Sequence, residues 1–396
     1  MNIGLVIFRG DPQRGGAERY TADIAAALAE RGHRVDLIST RFGGEIPGVN
    51  FIPIATNSPT RAGRYLDFLN HLETHLSGRK YDLIHSMLPI RRCDLYHPHS
   101  GMAKAALETH LARANGPARV LGRVANRLNR KRRVFAEVEN ELIHGPDKPM
   151  VLCLSDYVKA IILRHYPDIT DQLVKLFNGT DLKLFDPAKH APARQIIRER
   201  FGIAPEATVA LMIAQHFERK GLAEVIAATA NIAKSSRDAA PVALVVGKDD
   251  PSRSRQMAKR LGVEDKIIFA GQTDSSADFY AASDFFVLPT RHDSCSLVVL
   301  EALAMGLPTI STVFNGACEI MTNGRHGFVL PDPADVDALT TAMSSLLDRN
   351  RLREMQQACL ALRPSLSFEA HMNRLEEIYR MRCKSAGHIQ SRSGRQ

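Results

Sequence analysis

Thr208-Val209-Ala210-Leu211-Met212-Ile213-Ala214 runs without a charge into Gln215-His216-Phe217-Glu218-Arg219-Lys220, and Gly221 then opens a periodic stretch ending near Ala233. A strand covered on both faces reads as a continuous apolar run, whereas apolar residues recurring every three or four positions read as a helix. The stretch is therefore one strand–helix unit of a parallel sheet, whose strands are joined by crossovers. The alternation repeats on either side of it. Toward the carboxyl end, 242–246, 267–269, 285–288 and 309–311 read as strands, with helices at 252–261, 277–282 and 297–305. Toward the amino end, 3–8, 35–39 and 82–86 read as strands. A helix at 18–31 carries Ala22, Ile24, Ala25, Leu28 and Ala29 on one side and stops at Gly32. Both halves thus read as doubly wound α/β domains, which take their ligands at the carboxyl ends of the strands.

A chain of 396 residues exceeds what one core serves, since cores stop growing near roughly 250–300 residues. The turn residues Phe177-Asn178-Gly179-Thr180-Asp181 interrupt the pattern and mark the joint. An apolar fraction of 44% argues against global disorder, and no apolar run approaches the roughly 20 residues of a membrane span. The start at Met1 reads as a buried strand rather than a signal peptide. Cys93, Cys153, Cys295, Cys318, Cys359 and Cys383 form no C-x-x-C pair, which disfavours a disulfide framework or a zinc site and fits a reducing cytoplasm. The formal net charge of +9 invites phosphate-bearing partners. With no tryptophan and 6% aromatics, stacking platforms for nucleic acid are thin, and no nucleic-acid partner is expected.

Several motifs carry chemistry. Gly15-Gly16-Ala17-Glu18 opens the first helix, where glycines admit a ligand to the backbone and free N–H groups favour anions; the same residues also serve an ordinary turn. Arg219-Lys220-Gly221 follows a strand end, where two cations can hold a diphosphate, or simply make a solvated basic loop. Asp293-Ser294-Cys295-Ser296-Leu297-Val298-Val299-Leu300-Glu301 crosses from a strand into a helix. The amides of Ser296, Leu297 and Val298 are expected to point at a ligand with the helix dipole behind them, unless Asp293 or Ser294 merely caps the helix. Glu301 stands among apolar neighbours and therefore needs a partner.

In His97-Pro98-His99-Ser100-Gly101 either histidine can position an acceptor hydroxyl. Asp335-Val336-Asp337 is formally a metal-type acidic pair, but it opens a helix, where acids serve the dipole. Residues 119–142 form the strongest amphipathic stretch, with Arg119, Arg123, Arg127, Arg130 and Lys131 opposite an apolar stripe. This fits an interfacial helix on an anionic membrane, or a surface helix packed on its own domain.

Together and in order, these segments resemble the family 4 retaining glycosyltransferases of the GT-B fold over nearly the whole chain. They are Gly15–Glu18, the linker Asn178-Gly179-Thr180-Asp181-Leu182-Lys183-Leu184-Phe185, Arg219-Lys220-Gly221, Asp293 through Glu301, and Glu301-Ala302-Leu303-Ala304-Met305-Gly306-Leu307-Pro308. Phe217 through Gly221, Val245-Val246-Gly247-Lys248-Asp249-Asp250-Pro251 and the basic segment look most like the lipopolysaccharide core glucosyltransferases. The resemblance implies two Rossmann-like α/β domains facing across a cleft. Residues 1–176 would form the acceptor-side domain, completed by a last helix at 367–384. Residues 177–366 would bind the nucleotide sugar, and the polar tail 385–396 is expected to be disordered.

It further implies a catalytic set of Arg219, Lys220, Asp293 and His99, with His97 the other choice for the histidine. Donor contacts would come from Gly15, Gly16, Ser296, Leu297, Val298 and Glu301. It implies no metal and no cofactor, retention of configuration, and uridine diphosphate glucose as donor. The acceptor would be a saccharide or glycolipid such as lipopolysaccharide core, met by a cytoplasmic enzyme at the inner face of the membrane. A GDP-mannose-dependent mannosyltransferase, an epimerase and a non-transferring nucleotide-sugar-binding protein are the alternatives. The family's E-x7-E is D-x7-E here, with Asp293 one methylene shorter than the usual glutamate.

Overall fold

The computed structural model describes residues 1–98, 101–104 and 130–393. The chain forms two compact units, Met1–Leu176 with Met372–Gln396, and Phe177–His371.

The first unit runs β1 (Asn2–Val6), α1 (Gly16–Glu30), β2 (Arg34–Ser39), β3 (Val49–Pro53), α2 (Arg61–Ser77), β4 (Leu83–Ser86) and β5 (Leu95–Tyr96). It continues with α3 (Arg130–His144), β6 (Met150–Cys153), α4 (Asp156–His165) and β7 (Leu173–Lys175). Among the described residues its strands form one parallel sheet in the order β3-β2-β1-β4-β5-β6-β7. The order reverses at β1, where a doubly wound sheet opens its ligand crevice. Tyr65, Phe68, Leu69 and Leu72 of α2 and Val138, Leu142 and Ile143 of α3 fill the core on one face.

The second unit has α5 (Pro187–His190), α6 (Ala193–Arg200), β8 (Val209–Ile213), α7 (Phe217–Lys220), α8 (Leu222–Ser235), β9 (Val242–Val246) and α9 (Ser252–Arg260). Then come β10 (Ile267–Gly271), α10 (Ser276–Ala282), β11 (Phe285–Val287), α11 (Leu297–Ala304), β12 (Thr309–Thr312), β13 (Gly327–Leu330), α12 (Val336–Ser345) and α13 (Arg349–Leu362). Its parallel sheet has the order β10-β9-β8-β11-β12-β13, reversing at β8. β8, β9 and β11 are buried throughout except at Ile213, which is why their sequences read as unbroken apolar runs.

The last helix, α14 (Phe368–Ser393), begins in the second unit and enters the first at Met372. There Glu376 accepts from Arg31 at 3.2 Å and lies 2.8 Å from His33 Nε2, while Tyr379 Oη lies 2.7 Å from His85 Nδ1. The tail expected to be disordered from 385 is helical through Ser393, and 394–396 fall outside the described residues. Once a helix is nucleated, extension adds a hydrogen bond per residue fixed, so polar residues can follow a packed helix outward. Asp335 caps α12, accepting from the Ala338 amide at 2.8 Å, and Asp337 lies in the first turn, where an acid serves the dipole. Among the described residues no helix is long and apolar enough to cross a membrane.

Candidate functional site

The site in the second unit is assembled at the carboxyl edge of its sheet, from the loop after β8 and the loop after β11. After β8 the chain turns through His216, the one non-glycine residue among the described residues with a positive φ (61°). Left-handed backbone is unfavourable for side-chain-bearing residues, so this turn must be held from outside. The Phe217 amide donates to Asp249 Oδ2 at 2.8 Å. The Phe217 ring lies so close to Gly247 that a Cβ there would sit 2.7 Å from it. At the other end of α7, Gly221 has φ 84°, and a Cβ on it would fall 2.4 Å from the Pro289 carbonyl. Glycine is therefore demanded at 221 both by conformation and by the approach of the second loop.

Arg291 fastens the two loops together. Its amide donates to the Arg219 carbonyl at 3.1 Å, its Nη1 to the Glu218 carbonyl at 3.1 Å, and its Nη2 to Glu224 Oε1 at 2.5 Å. The hydrogen bond to Glu224 raises the Arg291 pKa above its ordinary value. No motif pointed to Arg291 or Glu224, because neither lies in a recognisable spacing.

Arg219 and Lys220 are presented side by side on α7. The Lys220 ammonium donates to Asp293 Oδ2, with the two side chains 12% and 20% exposed. Asp293 is itself held by its amide to the Phe314 carbonyl at 2.9 Å and by its carbonyl to the Gly316 amide at 3.1 Å. Thus Asp293 is a partner of Lys220 and not the cap of α11. Arg219 is half-buried, and its Nε is buried with no hydrogen-bond partner among the described residues. A buried donor without an acceptor is costly, and a guanidinium satisfies that deficit best with an anion.

The start of α11 supplies further donors. The amides of Leu297 and Val298 meet no acceptor among the described residues, and both residues are half-exposed. The Ser296 amide, expected beside them, donates instead to Asn315 Oδ1 at 3.2 Å and is buried, which narrows the free amides to Leu297 and Val298. Asn178 of the linker reaches the same loop, donating to the Cys295 carbonyl at 3.2 Å. Burial pushes the Cys295 thiol up, so this cysteine is no nucleophile. Glu301, 6% exposed, finds the partner its apolar setting requires in Tyr280, whose hydroxyl lies 2.9 Å from Glu301 Oε2 and 3.0 Å from the Val298 carbonyl.

Beside α7 a cavity of about 300 Å³ opens at the ends of β9 and β10, lined by Phe217, Gly247, Lys248, Asp249, Arg255 and Phe269 among others. A larger one of about 650 Å³, bordered by Arg194, Asp284, Leu307 and Arg349, lies at the amino ends of β11 and β12, away from these residues. The smaller cavity borders the strained turn through Phe217 and Asp249, whereas Arg219, Lys220 and the amides of Leu297 and Val298 line neither cavity.

In the first unit Gly16 is exposed, and a Cβ on it would touch nothing within 4 Å; Gly15 is fully extended at φ −179°. Packing does not demand glycine at 16, so the open backbone is available to a ligand. His97 is fully buried, stacked on His85 at 5.5 Å and edge-on to Tyr20 at 5.3 Å. Its ring thus lies inside its own unit, against residues of β4 and α1. His99, Arg119, Arg123 and Arg127 lie outside the described residues.

Arg130 is exposed at the start of α3, but Lys131 is half-buried with its ammonium 5.0 Å from the Phe135 ring and 5.9 Å from the Phe8 ring. Val138, Leu142 and Ile143 of α3 are spent on the first unit's own core, while Val134 and Phe135 pack against it partly buried.

Two family models match the chain. "Glycosyltransferase Family 4" covers residues 14–184 and "Glycosyl transferases group 1" covers 193–359. The chain is 25% identical over 343 residues to the lipopolysaccharide glucosyltransferase WaaG of Escherichia coli K12, spanning 86% of this chain and 88% of that protein. The crystal structure of a WaaG superposes with a TM-score of 0.79 at 22% identity, over 95% of this chain and 99% of the other. Anabaena HepE in complex with UDP-glucose superposes with a TM-score of 0.71 at 17% identity, over 95% and 98% of the two chains. The two parallel sheets with their helices are those of the GT-B fold.

Proposed function

The chain belongs to the family 4 glycosyltransferases, and from that premise we propose that it moves glucose from uridine diphosphate glucose onto a saccharide or lipid-linked saccharide of the lipopolysaccharide-core kind, with retention of configuration. The observation that carries the reading is the unpartnered Arg219 Nε beside Lys220, set at the strand ends with the free amides of Leu297 and Val298. A diphosphate supplies the acceptor oxygens that these donors lack. WaaG is a glucosyltransferase by name, and HepE holds UDP-glucose, which favours glucose as the sugar and uridine as the base.

In the reaction the bond from the anomeric carbon to the diphosphate oxygen breaks, and the acceptor oxygen bonds to that carbon on the same face. Arg219, Lys220 and the helix-start amides stabilise the charge gathering on the departing diphosphate, the kind of preorganised electrostatics that dominates transfer chemistry. The acceptor hydroxyl proton passes to a leaving phosphate oxygen. No second carboxylate need flank the sugar as in a glycosidase, and no metal is needed. Asp293 orients Lys220, Glu301 takes the ribose hydroxyls, and Gly15 and Gly16 leave backbone open to the donor. His99 positions the acceptor hydroxyl. The enzyme works in the cytoplasm against the inner face of the membrane, reaching anionic lipid through Arg119, Arg123, Arg127 and Arg130.

The test is a panel of nucleotide sugars scored for nucleoside diphosphate release, with and without lipid-linked core saccharide. UDP-glucose with acceptor should lead the panel. A GDP-mannose preference would move the enzyme to the mannosyltransferases, and donor binding without any release would reduce it to a binding protein.

A further inference from the structure

Six cations gather at the carboxyl edge of the first unit's sheet, beside the Gly15-Gly16 turn. Arg9 lies just past β1, with Arg14 in the loop that follows; Arg41 lies just past β2; Arg61 and Arg64 form the first turn of α2; Lys131 lies in the first turn of α3. Among the described residues no carboxylate pairs with any of them, whereas Arg79, Arg92, Arg194 and Arg291 each have one. The backbone brings them together: the Gly10 amide, next to Arg9, donates to the Arg41 carbonyl at 2.8 Å, and the Lys131 ammonium lies 5.9 Å from the ring of Phe8 on the other side of Arg9. Burial, then the charges of Arg14, Arg41, Arg64 and Arg61, lower the Arg9 pKa; burial, then Arg9, Arg61 and Arg64, lower that of Lys131. Like charges held together without counter-ions cost free energy unless a ligand supplies the opposite sign.

Aromatic rings lie under one member: the Lys131 ammonium is near the rings of Phe8 and Phe135, and both pack on the buried Tyr65, Phe135 stacked at 3.9 Å and Phe8 edge-on at 6.4 Å. Phe8 and Phe135 are only partly buried. Aromatic rings beside a group of cations suit a sugar ring that carries phosphate. A membrane is the weaker occupant, since strand carboxyl ends collect small ligands and α3 has turned its apolar face inward.

We propose that Arg9, Arg14, Arg41, Arg61, Arg64 and Lys131 form a binding site for the phosphate groups of a phosphorylated acceptor saccharide. This rests on the transferase reading for the word acceptor, though not for the binding itself.

The test is calorimetric titration of the full chain with glucose 1,6-bisphosphate, glucose and UDP, together with co-sedimentation on phosphatidylglycerol-containing vesicles. The bisphosphate should bind the wild type, more weakly at high salt, and glucose should not. In the double variant Arg41→Ser/Arg61→Ser, both positions being exposed, the bisphosphate should bind at least about tenfold more weakly with UDP affinity and melting temperature unchanged. Arg61→Lys should stay near wild type. Equal bisphosphate binding by wild type and double variant, or none by either, overturns the site. Loss of UDP affinity would assign the cluster to the donor, and loss of vesicle binding alone would assign it to the membrane; each overturns it too. The transferase reading fails separately, by absence of sugar transfer across the donor panel with bisphosphate binding intact.

Discussion

Removing Lys220 should damage the site in two ways, and a second substitution should undo one of them. In the wild type the Lys220 ammonium neutralises Asp293. Lys220→Ala deletes a cation that faces the diphosphate and leaves the Asp293 carboxylate, 20% exposed, uncompensated next to it. Two unit charges about 5 Å apart at an effective dielectric near 20 interact by about 3 kcal/mol, and partial exposure brings this to about 1–3 kcal/mol. Loss of one preorganised electrostatic group costs about 10²–10³ in kcat. Lys220→Ala should therefore lower kcat/KM by about 10³ or more and weaken UDP binding in calorimetry. Adding Asp293→Asn should recover about five- to a hundredfold, because the repulsion is gone while the lost attraction stays lost. If Lys220→Ala cost the same with and without Asp293→Asn, the pairing would be refuted. UDP affinity untouched by Lys220→Ala would refute the placement of the diphosphate.

Arg291→Ala should lower kcat about tenfold while leaving substrate contacts intact, since Arg291 grips the Arg219 and Glu218 carbonyls; a structural role alone would shift melting temperature and leave kcat unmoved. Gly221→Ala should destabilise the second unit by about 2 kcal/mol or more through its positive φ and the approach of Pro289, read as a drop in the denaturation midpoint. His371, bonded to the Phe177 carbonyl at 2.7 Å, has its pKa lowered from 6.5 to about 4 by burial. It is neutral when folded while the unfolded chain takes up a proton, so stability is whole above pH 6.5 and falls as pH drops toward 4, by about 1.4 kcal/mol per unit. Denaturation at pH 7.5 and 5.0 should show the loss, and His371→Gln should flatten it. Co-sedimentation with anionic vesicles should weaken with salt and with Arg119→Ala/Arg123→Ala/Arg127→Ala; indifference to both would remove membrane docking through that segment.

Much of the site was legible because it is local. Arg219, Lys220 and Gly221 are consecutive, and a strand-to-helix transition written at 288–297 announces free amides without reference to anything distant. Asp293 was legible as a carboxylate but not as the mate of Lys220, because 73 residues separate them. The Ser296 amide went to Asn315 and Glu301 went to Tyr280 for the same reason: partners that close a hydrogen bond across elements leave no spacing to read. That Lys131 lies near the Phe8 and Phe135 rings was not legible, because an amphipathic pattern shows that an apolar face must be buried, not against what.

The order of apolar runs and helical periods determined two parallel-sheet domains, and the motifs at their strand ends determined a diphosphate-type site, since both follow from periods of a few residues and from backbone chemistry. Which side chains neutralise one another was decided only when the sheets formed. Parallel strands place loops distant in sequence side by side, and charges interact by distance in space. That is why Lys220 met Asp293, why His97 was buried against His85 and Tyr20, and why six cations with no carboxylate partner among the described residues came to share one edge.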